Sequence, residues 1–387
     1  MSEATDGTND LANDIVGVAS YEASEPKKKK FLPWHKPRKQ FVRHEQWRYY
    51  IEKLLDETHT AGDSLTYFGL PGIDMLDLRY FGTAVCEPRD LKLRFLGFNK
   101  AANPQDAEQI EFNVSFDEIR RTSSFNAQSD IVQDDLRQLV KEDSLAWQKT
   151  YELSPYDVIN LDLCGGFGEE ETGSIDQTYY NAVNKLLSIQ TRKKSAWLLL
   201  ITTRVDKGRI HDGTLGRFAA LYRDNLENCR PFQDLSEKQF KIRSADTLET
   251  AKTTALGVQS IFTVGLCKWL LGFALAQNPQ SKMEVKSVMG YRVERKAEAI
   301  DMVSVAIRFD PTFGPLTDAS SLSTIQTVRL DECDLATNAL KRVGSLVDVD
   351  EYLLSQNEIR EEMIEAMCTL LEAARYDVGS YRKSVGT

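Results

Sequence analysis

Hydrophobic positions along this 387-residue chain change period repeatedly, and each change marks an element. From about Arg38 to Glu57, "KQFVRHEQWRYYIEKLLDE" gathers Val42, Trp47, Tyr50, Ile51, Leu54 and Leu55 near one face, which predicts a helix. The period then shortens. Ser64–Gly72 ("SLTYFGLPG") is a short apolar run ending in a Gly-Leu-Pro-Gly turn, as a strand does. Similar runs follow at Leu91–Asn99, 129–136, 156–163 and 195–205, and helical patterns separate them. A long helical stretch is predicted from about Ser236 to Gln277, then two strand-like segments, "KMEVKSVMGYRVE" and "DMVSVAIRFD". Their link, "RKAEAI", is too short for a crossover helix, so the two should pair antiparallel.

Strands alternating with helices predict a parallel sheet covered on both faces, and near-continuous apolar runs such as "WLLLI" are what doubly covered strands need. The fold class read from this pattern is α/β: a doubly wound, mostly parallel Rossmann-like sheet with an antiparallel edge hairpin. Helical appendages are expected at both ends. The expected organisation is a disordered basic arm over 1–37, a helix over 38–62, the α/β domain over 63–310 and a helical extension over 311–387. In that extension, "DVDEYLLSQNEIREEMIEAMCTLLEAARYDVGSYRKSV" repeats Leu, Ile and Met at helical spacing. Such a face serves either a protein partner or, more commonly, packing on its own domain.

Five alternating units followed by an antiparallel hairpin resemble the class I S-adenosylmethionine-dependent methyltransferases, over roughly Asp63 to Asp310. The resemblance rests on element order and on strand-end motifs. It implies S-adenosylmethionine as cofactor, lying at the carboxyl ends of the strands, where open parallel sheets bind ligands. Residue by residue, it implies a glycine loop at Gly69, Leu70, Pro71 and Gly72, a ribose contact from Asn99, and an adenine contact from Asp134. The loop departs from the family's Gly-x-Gly-x-Gly and has no acid before it; Asn99 stands where the family usually has an acid. At the fourth strand's end, Asp162-Leu163-Cys164-Gly165 is similar in place to the Asp/Asn-Pro-Pro-Tyr tetrapeptide of enzymes that methylate exocyclic base amines, but it lacks the prolines and the aromatic. Asp162 and Cys164 are therefore the candidate catalytic residues. The alternative reading of Asp162 is a turn acid binding backbone N–H groups of the glycine loop.

Charge changes the picture in one place. The formal net charge is -10, yet "KKKKFLPWHKPRKQFVRHEQWR" (Lys27–Arg48) carries nine Lys/Arg against one acid, with Phe31, Trp34, Phe41 and Trp47 interleaved. Such an arm can hold a phosphate backbone while its rings stack on unpaired bases. Lys36, Arg38, Lys39 and Arg43 are thus candidate contacts for DNA or RNA; the alternative is a solvated leader whose aromatics dock on the core. Six scattered cysteines, without a CxxC pair or His/Cys ligand spacing, favour reduced thiols, a cytoplasmic location and no metal. No basic-then-apolar leader opens the chain, and "SIFTVGLCKWLLGFALA" is interrupted by Lys268, so a buried helix rather than a membrane span is expected.

The functional expectation is a methyltransferase-like protein acting on nucleic acid, with a base amino group favoured as acceptor. The alternative is the same fold without activity, as a scaffold or recognition subunit of a larger nucleic-acid-associated complex. A third reading is another doubly wound enzyme, such as a nucleotide hydrolase, using Asp162; no Walker-type loop supports it.

Overall fold

The apolar runs become five parallel strands and an antiparallel pair in the computed structural model, which describes residues 30–60, 62–100, 107–163, 165–170, 178–294, 297–313, 320, 322 and 330–386. The residues 1–29, most of the expected arm, lie outside the described residues, as does Cys164. The strands are β1 (Ser64–Gly69), β2 (Lys92–Phe98), β3 (Asp130–Val132), β4 (Val158–Asp162), β5 (Trp197–Arg204), β6 (Ser281–Tyr291), β7 (Met302–Pro311) and β8 (Val347–Asp348). They form one sheet in the order β3-β2-β1-β4-β5-β7-β6-β8. β1 to β5 are mutually parallel, and β7 runs antiparallel to both β5 and β6. This is the expected α/β arrangement, a doubly wound, mostly parallel Rossmann-like sheet with an antiparallel pair.

Register sorts the side chains onto two faces. Phe68, Leu96, Ile159, Leu161, Leu199, Ile201, Val303, Val305 and Ile307 belong to one apolar cluster with the helices Tyr179–Gln190, Asp212–Asn228, Ala255–Ala276 and Glu332–Val343. On the opposite face lie Tyr67, Phe95, Asn160, Asp162, Thr202 and Ser304. The N-terminal helix covers this side: the Trp47 indole donates to Ser304 Oγ at 3.1 Å, and Phe81 packs against both Trp47 and Tyr67. That helix is α-helical over Pro37–Phe41 and Tyr49–Thr58 but widens to π-helical turns over Val42–Arg48. Trp47, Ile51, Leu54 and Leu55 are buried as the spacing predicts. Truncating a buried tryptophan of this kind costs about 3–5 kcal/mol.

Several expectations shift. The third strand stops at Val132, and the helix expected to continue from it is split into a 3-10 turn, Leu136–Val140, and a helix, Leu145–Leu153, capped by Ser144. The stretch from Ser236 to Gln277 is not one helix. Lys241, at φ 60°, ends Arg230–Phe240, and the hydroxyls of Ser244 and Thr254 cap the two helices that follow. The loop "KGRIHDGTLG" already contains the start of the helix Asp212–Asn228, with His211 Nδ1 accepting from Gly213 N. Two glycines and an unusual cap hid that helix. Ala255–Ala276 is long and apolar enough to cross a membrane, and it is mostly buried in the core, as expected.

The expectation of six free thiols is corrected: Cys229 and Cys333, 104 residues apart, form a disulfide between the chain ahead of Arg230–Phe240 and the helix Glu332–Val343. Spacing along the chain could not show it, because the fold brings the pair together. The C-terminal segment packs back on the domain: Met363, Ile364, Met367, Leu371 and Tyr381 are buried, and β8 joins the sheet beside β6. Residues Leu32–Thr387 form one compact unit.

Candidate functional site

The chain passes from β1 outward to β2 and β3, then returns to β4 on β1's other side. The topological switch point is therefore between β1 and β4, whose carboxyl ends are Gly69 and Asp162. Gly69 pairs in register with Asn160, so Asn160 and Asp162 stand on the same face at this crevice.

The loop after β1 is tightly folded. The Tyr67 ring lies over Gly69: a Cβ there would come within 2.6 Å of it. Tyr67 is fully buried, and that burial pushes its phenol well above its ordinary pKa. Pro71 is buried over Gly97 of β2, where a Cβ would meet the proline ring at 2.8 Å. Asn99 Nδ2 donates to the Pro71 carbonyl at 2.8 Å, so this amide pins the loop. Leu70 is half-buried, and Gly72 is exposed with open space where a side chain would go. Asp134 sits in the loop beyond β3, half-exposed, and accepts from Asp135 N. The structure thus brings Gly69, Leu70, Pro71, Gly72 and Asn99 together at the carboxyl ends of β1 and β2, with Asp134 in the loop beyond β3.

At Asp162 the occupant is Lys39. Lys39 Nζ donates to Asp162 Oδ1 at 2.7 Å, stands 4.4 Å from the Trp47 ring centre and 6.0 Å from that of Tyr291, and its side chain is 3% exposed. Burial alone would lower the lysine pKa and is the largest single influence; Asp162, Tyr291 and Asp77 together outweigh it, and the net shift is upward. Arg43 is equally buried, donating to Asp77 Oδ1 and to the Trp34 carbonyl. Arg38 pairs with Asp350 at 3.0 Å and donates to the Arg292 carbonyl, while Lys36 Nζ lies 3.5 Å from the Ser384 carbonyl. All four candidate nucleic-acid contacts of the arm, Lys36, Arg38, Lys39 and Arg43, thus have partners within the chain. Lys39 and Arg43 face inward because carboxylates from β4 and from Leu76–Phe81 neutralise them, and Arg38 is tied to the C-terminal segment.

Two buried amides stand out here. Asn160, 1% exposed, has the Tyr67 phenol as a loose hydrogen-bond partner and no well-formed bond from either amide atom among the described residues. Gln40, fully buried on the helix that carries Lys39, has neither amide atom bonded. Underbonded buried amides are rare and cost about 1–3 kcal/mol each, so they mark a place where further partners belong. Sequence reading missed Asn160, although an amide inside the apolar run "VINLD" was a visible signal. It also missed the inner roles of Lys39, Trp47 and Tyr291. Among the described residues, no cluster of three His, Cys, Asp or Glu side chains could hold a metal ion.

A family model described as PP_RS20740-like matches residues 28–386. No curated protein matches the chain. Among solved structures, a candidate class I S-adenosylmethionine-dependent methyltransferase from Listeria monocytogenes is similar, with 11% identity over 82% of this chain and 73% of that one, and a TM-score of 0.36.

Proposed function

The chain belongs to the PP_RS20740-like family, and for this chain we propose binding of S-adenosylmethionine at the switch point, with the methyl acceptor placed over Asp162. The observation that carries this reading is the strand order with its inserted antiparallel β7, together with Asn160 and Asp162 on one face of β4 at the carboxyl end of the sheet, where open parallel sheets bind ligands. The residues present fit the group in part. Gly72 leaves open space for close backbone approach, Asp134 offers a half-exposed carboxylate, and Asn160 offers an amide bonded only loosely, to the Tyr67 phenol. Asn99 would hold its side of the group more weakly than a carboxylate, because its amide N–H₂ already serves the Pro71 carbonyl.

When bound, S-adenosylmethionine supplies an electrophilic methyl group. The chain's own work is to position and to exclude water. The helix Pro37–Phe41 and the π-helical turns after it roof the crevice, and Asp162 Oδ1 holds an ammonium in place beneath them.

A second reading, the fold kept without activity, is favoured by a specific observation: Pro71 fills the space over Gly97, and Lys39 fills the space at Asp162. Calorimetric titration with S-adenosylmethionine and S-adenosylhomocysteine separates the two. Micromolar to submillimolar binding supports the first, with Asp162→Ala abolishing transfer but not cofactor binding. No heat and no thermal stabilisation at millimolar ligand leaves the second.

A further inference from the structure

Two of the three groups around the Lys39 ammonium are held by the sheet. Trp47 is fixed by its indole bond to Ser304 Oγ, which also accepts from Thr202 Oγ1 and donates to Gln46 Oε1 at 2.7 Å. Asp162 is fixed by β4, paired in register with Thr202 of β5. Tyr291 is the last residue of β6, buried, and paired with Met302 of β7. Lys39 and Trp47 share the N-terminal helix, Lys39 in Pro37–Phe41 and Trp47 in the π-helical turns that follow. Asp162 and Tyr291 are therefore sheet-borne, whereas Trp47 and the occupant come from one helix. Turns of the π type are frequent at functional sites.

A carboxylate beside an indole face is the chemistry that selects an organic ammonium: the carboxylate supplies charge and a hydrogen bond, and the ring supplies cation–π attraction to N–H and to the adjoining methylenes. A guanidinium or a neutral base amine would match it less well, since the cage closes on one compact cation. We propose that Asp162, Trp47 and Tyr291 form an alkylammonium-binding cage in which Lys39 is a tethered stand-in for an external primary alkylamine. As methyl acceptor the amine would first give a proton to Asp162, since an ammonium has no lone pair. The N–CH₃ bond would then form as the sulfonium S–CH₃ bond breaks and S-adenosylhomocysteine leaves. That role rests on the methyltransferase reading above, whereas the cage does not and its test needs no cofactor.

The test is chemical rescue of the full chain carrying Lys39→Ala. Thermal unfolding is followed in n-butylammonium chloride at tens of millimolar, against sodium chloride of equal ionic strength and against n-butanol. The cage predicts that butylammonium raises the Tm of Lys39→Ala by at least about 2 °C more than it raises that of the native chain. The gain should vanish in Lys39→Ala/Asp162→Asn. Spermidine and N-acetyl-lysine methylamide, run in parallel, distinguish a free polyamine from a protein lysine as the source of the amine. If Lys39→Ala does not fold alone, refolding yield with butylammonium against sodium chloride becomes the readout, with the same expected direction. Equal response of variant and native chain, equal effect of butanol, or no rescued refolding overturns the cage. A positive rescue with no S-adenosylmethionine binding would keep the cage and discard the methyltransferase reading.

Discussion

The two ends of β4 each hold a buried aspartate bonded to a lysine, and they are built on opposite terms. At the amino end, Asp157 accepts from Thr66 N and Thr66 Oγ1, from Lys193 Nζ, and lies 3.3 Å from His59 Nε2. Burial by itself would raise its pKa, but these partners win and hold it at about 2. At the carboxyl end, Asp162 has Lys39 as its bonded partner, is more exposed, and stands two residues from an amide bonded only loosely, to the Tyr67 phenol. A fully bonded buried carboxylate rigidifies the fold; a thinly bonded one beside an underbonded amide leaves bonding capacity for something else. The comparison therefore gives the amino end a structural part and leaves the carboxyl end as the place where the proposed ligand would bind.

The largest effect should separate the two acids directly. Asp157→Asn strands Lys193 and breaks the Thr66 contacts, which should cost about 3–5 kcal/mol in urea unfolding at pH 7. Asp162→Asn loses one charge-assisted bond rather than several, but it strands Lys39, whose side chain is 3% exposed, and should cost about 3 kcal/mol, the low end of that range. Equal losses, or the reverse order, would break the comparison. The pH dependence sharpens it. Asp157's folded pKa lies below its ordinary 3.8, so its contribution is complete above that value and fades as pH falls towards about 2. That contribution is about 2 kcal/mol. The gap between native chain and Asp157→Asn should then narrow between pH 4 and pH 2, which unfolding curves across that range will register.

Much of the sheet was legible because the strands' burial leaves a local trace. "WLLLI" needs cover on both faces and has it, and "RKAEAI" was too short for anything but an antiparallel link. The site was legible as a location and illegible as chemistry. Gly69, Asn99 and Asp162 were found because strand ends are local features. Lys39 and Arg43 were read outward because basic residues near a chain's start ordinarily face solvent. Their inward turn depends on Asp162, 123 positions away, and on Asp77, 34 positions away, and no periodicity carries that information. The Cys229–Cys333 pair was hidden for the same reason.

A middle-sized effect tests the loop that roofs the crevice. Gly69→Ala would drive a methyl into the Tyr67 ring, which strand geometry and burial keep from moving, and should cost about 1–3 kcal/mol. Gly72→Ala meets nothing within 4 Å and should stay within about 0.5 kcal/mol. If the loop's open side is where a ligand lies, Gly72→Ala should still weaken S-adenosylmethionine binding despite its neutral stability, as calorimetry would measure. Unchanged affinity would move the ligand away from Gly72.

The smallest effect on stability is the most telling for function. Replacing a bonded buried amide by a hydrocarbon normally destabilises, because partners are left unpaired. Asn160 has only its loose bond to the Tyr67 phenol to lose, so Asn160→Leu removes a polar group whose desolvation the fold already bears. The two side chains are close in size, and β4 is otherwise apolar at this depth. Urea unfolding should show a change within about 1 kcal/mol of zero, or a gain. A loss above about 2 kcal/mol would mean that Asn160 is firmly bonded in solution and belongs with Asp157 as a structural group. Neutral stability together with lost S-adenosylmethionine binding would show an amide kept underbonded at a cost to the fold, which only a ligand repays.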